Sequence, residues 1–227
     1  MIRSIKELHT EYNGDLILDK EMEEKINQKW QELIIGKDPK NFFNGDIYCV
    51  TNYDDNIPSI IFSKTKFASL MYAKETKKIM IHSLFSASYV RTSDNYVCIV
   101  LNYNNKLNTI GGLASDEDII NNKFDYKKCL IREFKEELGI DLNNNEKFDM
   151  YLKFLKHPKE NEMGGFGTLF EIRTKYTRDE LQEIFNNNEH DSEVKQLMFF
   201  NQDNYKEILN HNLREVYLDE LFDLIFS

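Results

Sequence analysis

Between Asp125 and Gly139 the chain carries the pattern that most narrows what it can fold into. Leu130, Phe134 and Leu138 recur every fourth residue, which on a helix of 3.6 residues per turn lays them in one apolar stripe. Asp125 suits the N-cap of that helix, and Gly139 suits the left-handed residue that ends one. A stripe of this kind has to be buried against a second layer, so the chain needs a sheet or another helix to receive it. A second face carries the chemistry. Glu133, Glu136 and Glu137 fall within about 100° of arc, beside the stripe but apart from it.

Three carboxylates in the last two turns oppose the helix dipole, whose C-terminal end prefers cations, and they repel one another at helical spacing. Helix stability alone would not put them there, so a positive charge is expected over that face. With oxygen ligands only, the fitting ion is a hard divalent one, Mg²⁺ or Mn²⁺, and not zinc. The plainer alternative is a solvated face neutralised by Lys128, Arg132 and Lys135.

The whole string weighs against that alternative. Arg132-Glu133-Phe134-x-Glu136-Glu137-x-Gly139-Ile140 resembles the end of the Nudix box, Gly-x5-Glu-x7-Arg-Glu-U-x-Glu-Glu-x-Gly-U, where U is bulky and apolar. Such a match arises by chance in about one chain in 10⁴ of average composition. Upstream, Gly111-Gly112 closes a strand-like segment, as the paired glycines do in that family. Gly111-x5-Glu117 keeps the first spacing of the box. With Gly112 as the box glycine, Glu117 comes one position short, and Asp116, Glu117 and Asp118 are all candidates for the loop acid. From Gly112 to Arg132 is 20 positions, about six more than the consensus, and the polar Asn121-Asn122-Lys123 reads as a looped-out insertion before the Asp125 cap.

The resemblance implies a fold, an activity and a site. The fold would be α+β, a Nudix-type α/β/α sandwich with a mixed sheet over residues 81–227, with residues 1–80 as an N-terminal α/β extension of one helix and a strand pair. The activity would be metal-dependent hydrolysis of a nucleoside diphosphate linked to another group. Glu133, Glu136, Glu137 and the Gly112 carbonyl would ligate Mg²⁺, or Mn²⁺ in its place, and Arg132 would hold a helix carboxylate. Glu136 or Glu137 would orient or deprotonate the attacking water. In some relatives the base comes from a late loop, and Glu189, His190, Asp191 and Glu193 precede a strand here, with Glu193 the best placed. Trp30 and Phe43-Asn44-Gly45-Asp46, with Phe42 beside them, faintly resemble the N-terminal arm of family members that act on UDP-sugars. A nucleotide-sugar is therefore the leading substrate. The alternatives are a housecleaning or mRNA-decapping enzyme and a non-catalytic nucleotide-sugar sensor.

Composition bounds the remainder. At 227 residues the chain makes one or two domains, and its 41% hydrophobic and 30% charged residues are ordinary for a globular protein. The net charge of −10 disfavours nucleic acid as a partner, since no Lys/Arg block gathers on the chain. A small nucleotide is acceptable because a divalent ion would bridge it to the acids. Cys49, Cys98 and Cys129 form no CxxC pair and suit a reducing compartment. No stretch has the length to span a bilayer or the layout of a signal peptide, so the expectation is a cytoplasmic protein without a membrane partner. By the resemblance to the Nudix family, the N-terminal strand pair would serve a homodimer. Gly164-Gly165-Phe166-Gly167 lacks the helix and Lys-Ser/Thr of a phosphate loop and reads as a flexible hairpin turn.

Periodicity predicts helices over 18–33, 67–77, 125–138, 177–185, 205–209 and 213–226. It predicts strands over 47–52, 57–62, 83–91, 96–101, 148–155, 168–173 and 194–200. The order lacks regular βαβ alternation and points to α+β rather than a Rossmann array.

Overall fold

The structure is a computed structural model that describes residues 1–37, 44–54, 56–144, 146–159, 163–190 and 193–227. In chain order the elements are β1 (Ile2–Ser4), β2 (His9–Asp15), α1 (Lys20–Ile34), β3 (Asp46–Asp54), β4 (Ser59–Lys66), α2 (Phe67–Thr76), β5 (His82–Arg91), β6 (Val97–Asn102), β7 (Leu107–Asn108), β8 (Ile110–Leu113) and the short pair β9 (Ile119–Ile120) and β10 (Lys123–Phe124). Then come α3 (Tyr126–Leu138), β11 (Phe148–Lys156), β12 (Phe166–Thr174), α4 (Arg178–Asn187), β13 (Val194–Phe200) and α5 (Tyr217–Phe226).

One mixed sheet organises them, and β5 is its hub. The strand pairs in parallel with β12 along one edge. Its other edge is shared in succession by β3 at Ser83 and His82, by β8 from Phe85 to Ser88, and by β6 at Val90 and Arg91. Beyond β12 the sheet continues to β11 and β1, and beyond β3 to β4 and β2. Side chains alternate along β12 and sort its two faces. Phe170 and Ile172 join Leu130, Phe134 and Leu138 of α3 and Leu181 and Phe185 of α4 in one core. Leu169 joins Ala87, Tyr89 and Leu218, Leu221 and Phe222 of α5 in the other. This is the α+β arrangement expected, with a mixed sheet between helical layers.

Residues 1–80 enter the same sheet. Ile5, Leu8, Tyr48, Val50, Ile60 and Phe62 share a core with Leu84, Ala114, Phe124, Cys129, Leu155 and Phe166. Beside it, Ile26 and Trp30 of α1 pack on Ala68 and Tyr72 of α2.

Several local readings change. The insertion is a tight hairpin: Asn121 and Asn122 sit at φ 50° and 60°, where Asn is tolerated, and turn β9 back onto β10. Its polar sequence resembled a loop because only Phe124 is buried, 2% exposed. Helix α5 begins at Tyr217 instead of Leu213, because the backbone on either side of Arg214 bonds to Leu107: the Leu107 N–H donates to the Leu213 carbonyl at 3.0 Å and Glu215 N–H to the Leu107 carbonyl at 3.0 Å. Residues 205–210 form a 3₁₀ turn. Gly111 and Gly112 lie inside β8 and do not end it. Phe166 and Gly167 are strand, not turn: they pair with Leu84 and Phe85 of β5, and glycine at 167 leaves room for the Phe85 ring, 2.2 Å from where a Cβ would lie. Strands β1 and β2 are missing from the periodicity, since each buries only one residue, Ile2 and Thr10.

Candidate functional site

Helix α3 forms as its sequence requires. The Asp125 carboxylate accepts the Lys128 N–H at 2.9 Å, and Gly139 closes the helix at φ 68° with its N–H on the Lys135 carbonyl. Leu130, Phe134 and Leu138 are buried, which fixes the helix rotation and turns the acid face toward β8. The site is therefore set by two elements, α3 and the strand that pairs with the middle of β5.

The two glycines of β8 are there for space. At Gly111, φ is +142°, and a Cβ would lie 2.3 Å from the Ser86 carbonyl oxygen. At Gly112 a Cβ would lie 2.4 Å from the carboxylate of Glu133. The Gly111 N–H donates to Glu137 Oε2 at 2.9 Å. Backbone and carboxylates thus meet with no side chain between them.

Arg132 ties the acids together. Its Nη1 donates to Glu133 Oε1 at 2.7 Å and to Glu136 Oε2 at 3.0 Å, and its Nη2 to Asp118 Oδ2 at 2.9 Å and the Leu113 carbonyl at 3.1 Å. Of the three loop acids, Asp118 is fully buried and closes a capping box with Ser115, whose N–H and hydroxyl both donate to it at 2.9 Å. Glu117 is exposed, with its carboxylate 3.7 Å from Arg132 Nε. Asp116 turns away to accept the Tyr48 hydroxyl at 2.9 Å and to pair with Lys64 at 2.8 Å. The roles of Tyr48 and Lys64 in steadying this loop were not seen in the sequence. The Ser115-x-x-Asp118 capping pattern was the available signal for the buried acid.

Charge is strained here. Burial pushes the Glu133 carboxyl up to about 7, against the opposing pull of Arg132, and the negative charges of Glu136 and Glu193 add to the rise. Glu193 is exposed in the segment before β13, and this electrostatic reach is what relates it to the acid face. Glu136 is half exposed and Glu137 is buried. In the same loop, His190 stacks on Phe185 with centroids 4.2 Å apart, while Asp191 lies outside the described residues. Trp30 is 6% exposed and meets the Phe67 ring edge-on, so it is part of the core; Phe42 and Phe43 lie outside the described residues. The Asn44 side chain accepts the Ala68 N–H at 2.8 Å and caps the start of α2.

The chemistry of the acid face suits a hard divalent cation: Glu133, Glu136 and Glu137 offer carboxylate oxygens, and Gly112 leaves Glu133 its room, while the Gly112 carbonyl has the Cys129 thiol 3.8 Å away. Among the described residues, no three His, Cys, Asp or Glu side chains converge on one point as they stand. Arg132 bridges Glu133 and Glu136, while Glu137 accepts the Gly111 N–H. Among the described residues, no helix is long and apolar enough to cross a membrane.

No family model and no curated protein matches the sequence. Solved structures do. The crystal structure of DR0079 from Deinococcus radiodurans superposes with a TM-score of 0.54 at 12% identity, covering 81% of this chain and 100% of that one. The NUDIX domain of Shewanella oneidensis NrtR, crystallised with ADP ribose, gives 0.43 at 11% identity over 68% and 94% of the two chains. A NUDIX-family hydrolase from Clostridium perfringens gives 0.39 at 17% identity over 63% and 98%. What the likeness to DR0079 shows is a shared fold.

Proposed function

We propose that this chain, which has a Nudix fold, is a metal-dependent pyrophosphohydrolase that cleaves a nucleoside diphosphate linked to another group. One observation carries the reading: Arg132 gathers Glu133 and Glu136 of α3 beside Gly112, where a Cβ would lie 2.4 Å from the Glu133 carboxylate, while Glu137 meets the Gly111 N–H. A divalent ion held by Glu133, Glu136, Glu137 and the Gly112 carbonyl would neutralise the diphosphate and acidify a water. The protein's own share is positioning. Arg132 holds Glu133 and Glu136 in register, Asp118 holds Arg132, and the β8 backbone orients Glu137 through Gly111. Glu193 and Glu136 are the candidates to take the proton of the attacking water, being exposed enough to exchange it with solvent.

Within that class a nucleotide-sugar remains the leading substrate. Its support is a cavity of about 360 Å³ in the N-terminal part, lined by Asn27, Asn44, Asp46, Lys64, Thr65 and Ser69 among others, donors and acceptors suited to sugar hydroxyls. Lys64 links this cavity to the loop acids through Asp116. A second reading, a nucleotide-sugar sensor without turnover, is favoured by the lengthened loop after Gly112, in which Asp118 is buried on Arg132 and Asp116 is held by Tyr48 and Lys64.

Product analysis over UDP-sugars, ADP-ribose, dinucleoside polyphosphates, nucleoside triphosphates and capped RNA, with Mg²⁺ or Mn²⁺, separates the two. Turnover of one class, lost in Glu136→Gln and in EDTA, is the expected result. Absence of turnover with a nucleotide-sugar still raising the melting temperature would establish the sensor.

A further inference from the structure

On the face of the sheet away from α3, three cations surround one buried carboxylate. Glu171 of β12 is 3% exposed. Its Oε1 accepts Arg91 Nε at 3.0 Å and Arg173 Nε at 2.9 Å, and its Oε2 pairs with Lys153 Nζ at 3.1 Å. Burial works against the charge of Glu171, but the hydrogen bonds from Arg173, Lys153 and Arg91 outweigh it and hold the carboxyl below its ordinary value. Arg91 and Arg173 are direct register partners across the parallel β5–β12 ladder, where two like charges side by side are unfavourable. A single cation would have neutralised Glu171; three leave the cluster with a net charge of about +2 on a chain of net −10.

The cluster opens into a cleft. A cavity of about 560 Å³ is lined by Arg91, Glu171 and Arg173 with Thr92, Ser93, Asn95 and Thr174. The neighbouring acids are engaged or stand outside it. Asp94 accepts the Arg178 N–H at 2.9 Å, and Asp149, across the ladder from Arg173, does not line the cavity. Arg173 also lies over the Tyr151 ring, 5.0 Å from its centroid, which braces the guanidinium. This cleft is not the α3 site. Arg91 is four residues along β5 from Ala87, the partner of Gly111, or about 13 Å at strand rise, and its cluster faces the opposite side of the sheet.

The geometry points to a second anion site, one that takes a phosphate dianion, free or as a monoester, at Arg91 and Arg173. Two adjacent guanidinium groups offer more donors than a carboxylate can use and suit a phosphate. The remaining lining is hydroxyl and amide with no aromatic platform, which fits inorganic phosphate or a hydroxylated ester such as a sugar phosphate and not a nucleobase. The site stands independently of the reading of α3.

Titration calorimetry and thermal melts in EDTA, at constant ionic strength, test it with inorganic phosphate and ribose 5-phosphate as probes. Without divalent ions the acid face of α3 repels both. Saturable binding is expected, with a melting temperature about 3–5 °C higher at tenfold the Kd. Arg91→Gln and Arg173→Gln should each weaken it about tenfold or more, while Arg173→Lys retains part of it. Arg173 is half exposed and Glu171 keeps two cations in each variant, so both are expected to melt cooperatively in the absence of probe. Equal affinity for the two probes would assign the site to phosphate itself, and tighter ester binding to a sugar phosphate. No saturable binding of either, or binding unchanged in both glutamine variants, would overturn the proposal.

Discussion

Glu133 is where packing and charge oppose each other most directly. Its carboxyl is pushed from an ordinary 4.5 up to about 7, mainly by burial, so the folded chain holds that proton more tightly than the unfolded one. The sign follows from linkage. The stability it contributes is fully present below about 4.5 and is lost as pH rises through about 7. Replacing Glu133 by Gln removes the titration while keeping a hydrogen-bond acceptor for Arg132. In EDTA the variant should melt close to wild type at pH 5 and several degrees above it at pH 8, reflecting up to about 3 kcal/mol. Equal melting curves across that range would show that Glu133 is already charged at neutral pH.

At the scale of elements, the hairpin 119–124 makes a sharp test. Asn121 and Asn122 occupy left-handed backbone, and the hairpin is held by β2: the Phe124 N–H donates to the Thr10 hydroxyl at 2.9 Å and the Tyr12 N–H to the Asn122 carbonyl at 2.9 Å. Replacing both asparagines by alanine should cost about 1–2 kcal/mol, read as a lower urea midpoint with an unchanged slope. Asn121→Gly with Asn122→Gly should be close to neutral. Most elements were legible because their periods were clean. The stripe of α3, the helix that starts at Thr177 and the apolar runs of β5 and β6 stand in the structure where they were read. The hairpin was not legible, since four strand residues with one buried side chain give no alternation to see. The acids of α3 were readable as a face from helical spacing alone. The buried Asp118 could not be told from its neighbours, because which of three consecutive acids points inward is settled by the turn that carries them.

For the whole molecule, the question is whether residues 81–227 stand alone. Strand β3 pairs with β5 at its start, and Ile5, Leu8, Tyr48, Val50, Ile60 and Phe62 cover Leu84, Phe124, Leu155 and Phe166. A fragment of 81–227 would expose that cluster, at about 1.5–3 kcal/mol for each large side chain. The fragment is therefore expected to be insoluble or to melt without cooperativity, whereas co-expression with 1–80 should restore a folded complex. A sharp two-state melt of 81–227 alone would show it to be an independent unit.

Strand β1 pairs with β11, and the Ile2 N–H donates to Glu220 Oε1 at 2.8 Å on α5. During synthesis, at about 5–20 residues per second, some 150 residues separate β1 from its strand partner and more than 200 from its helix partner. The emerging chain must carry β1 unpaired for about ten seconds or longer, with one edge of the sheet open throughout. Only three residues long and with Arg3 at its centre, β1 is short and charged enough to wait without recruiting a neighbour's strand.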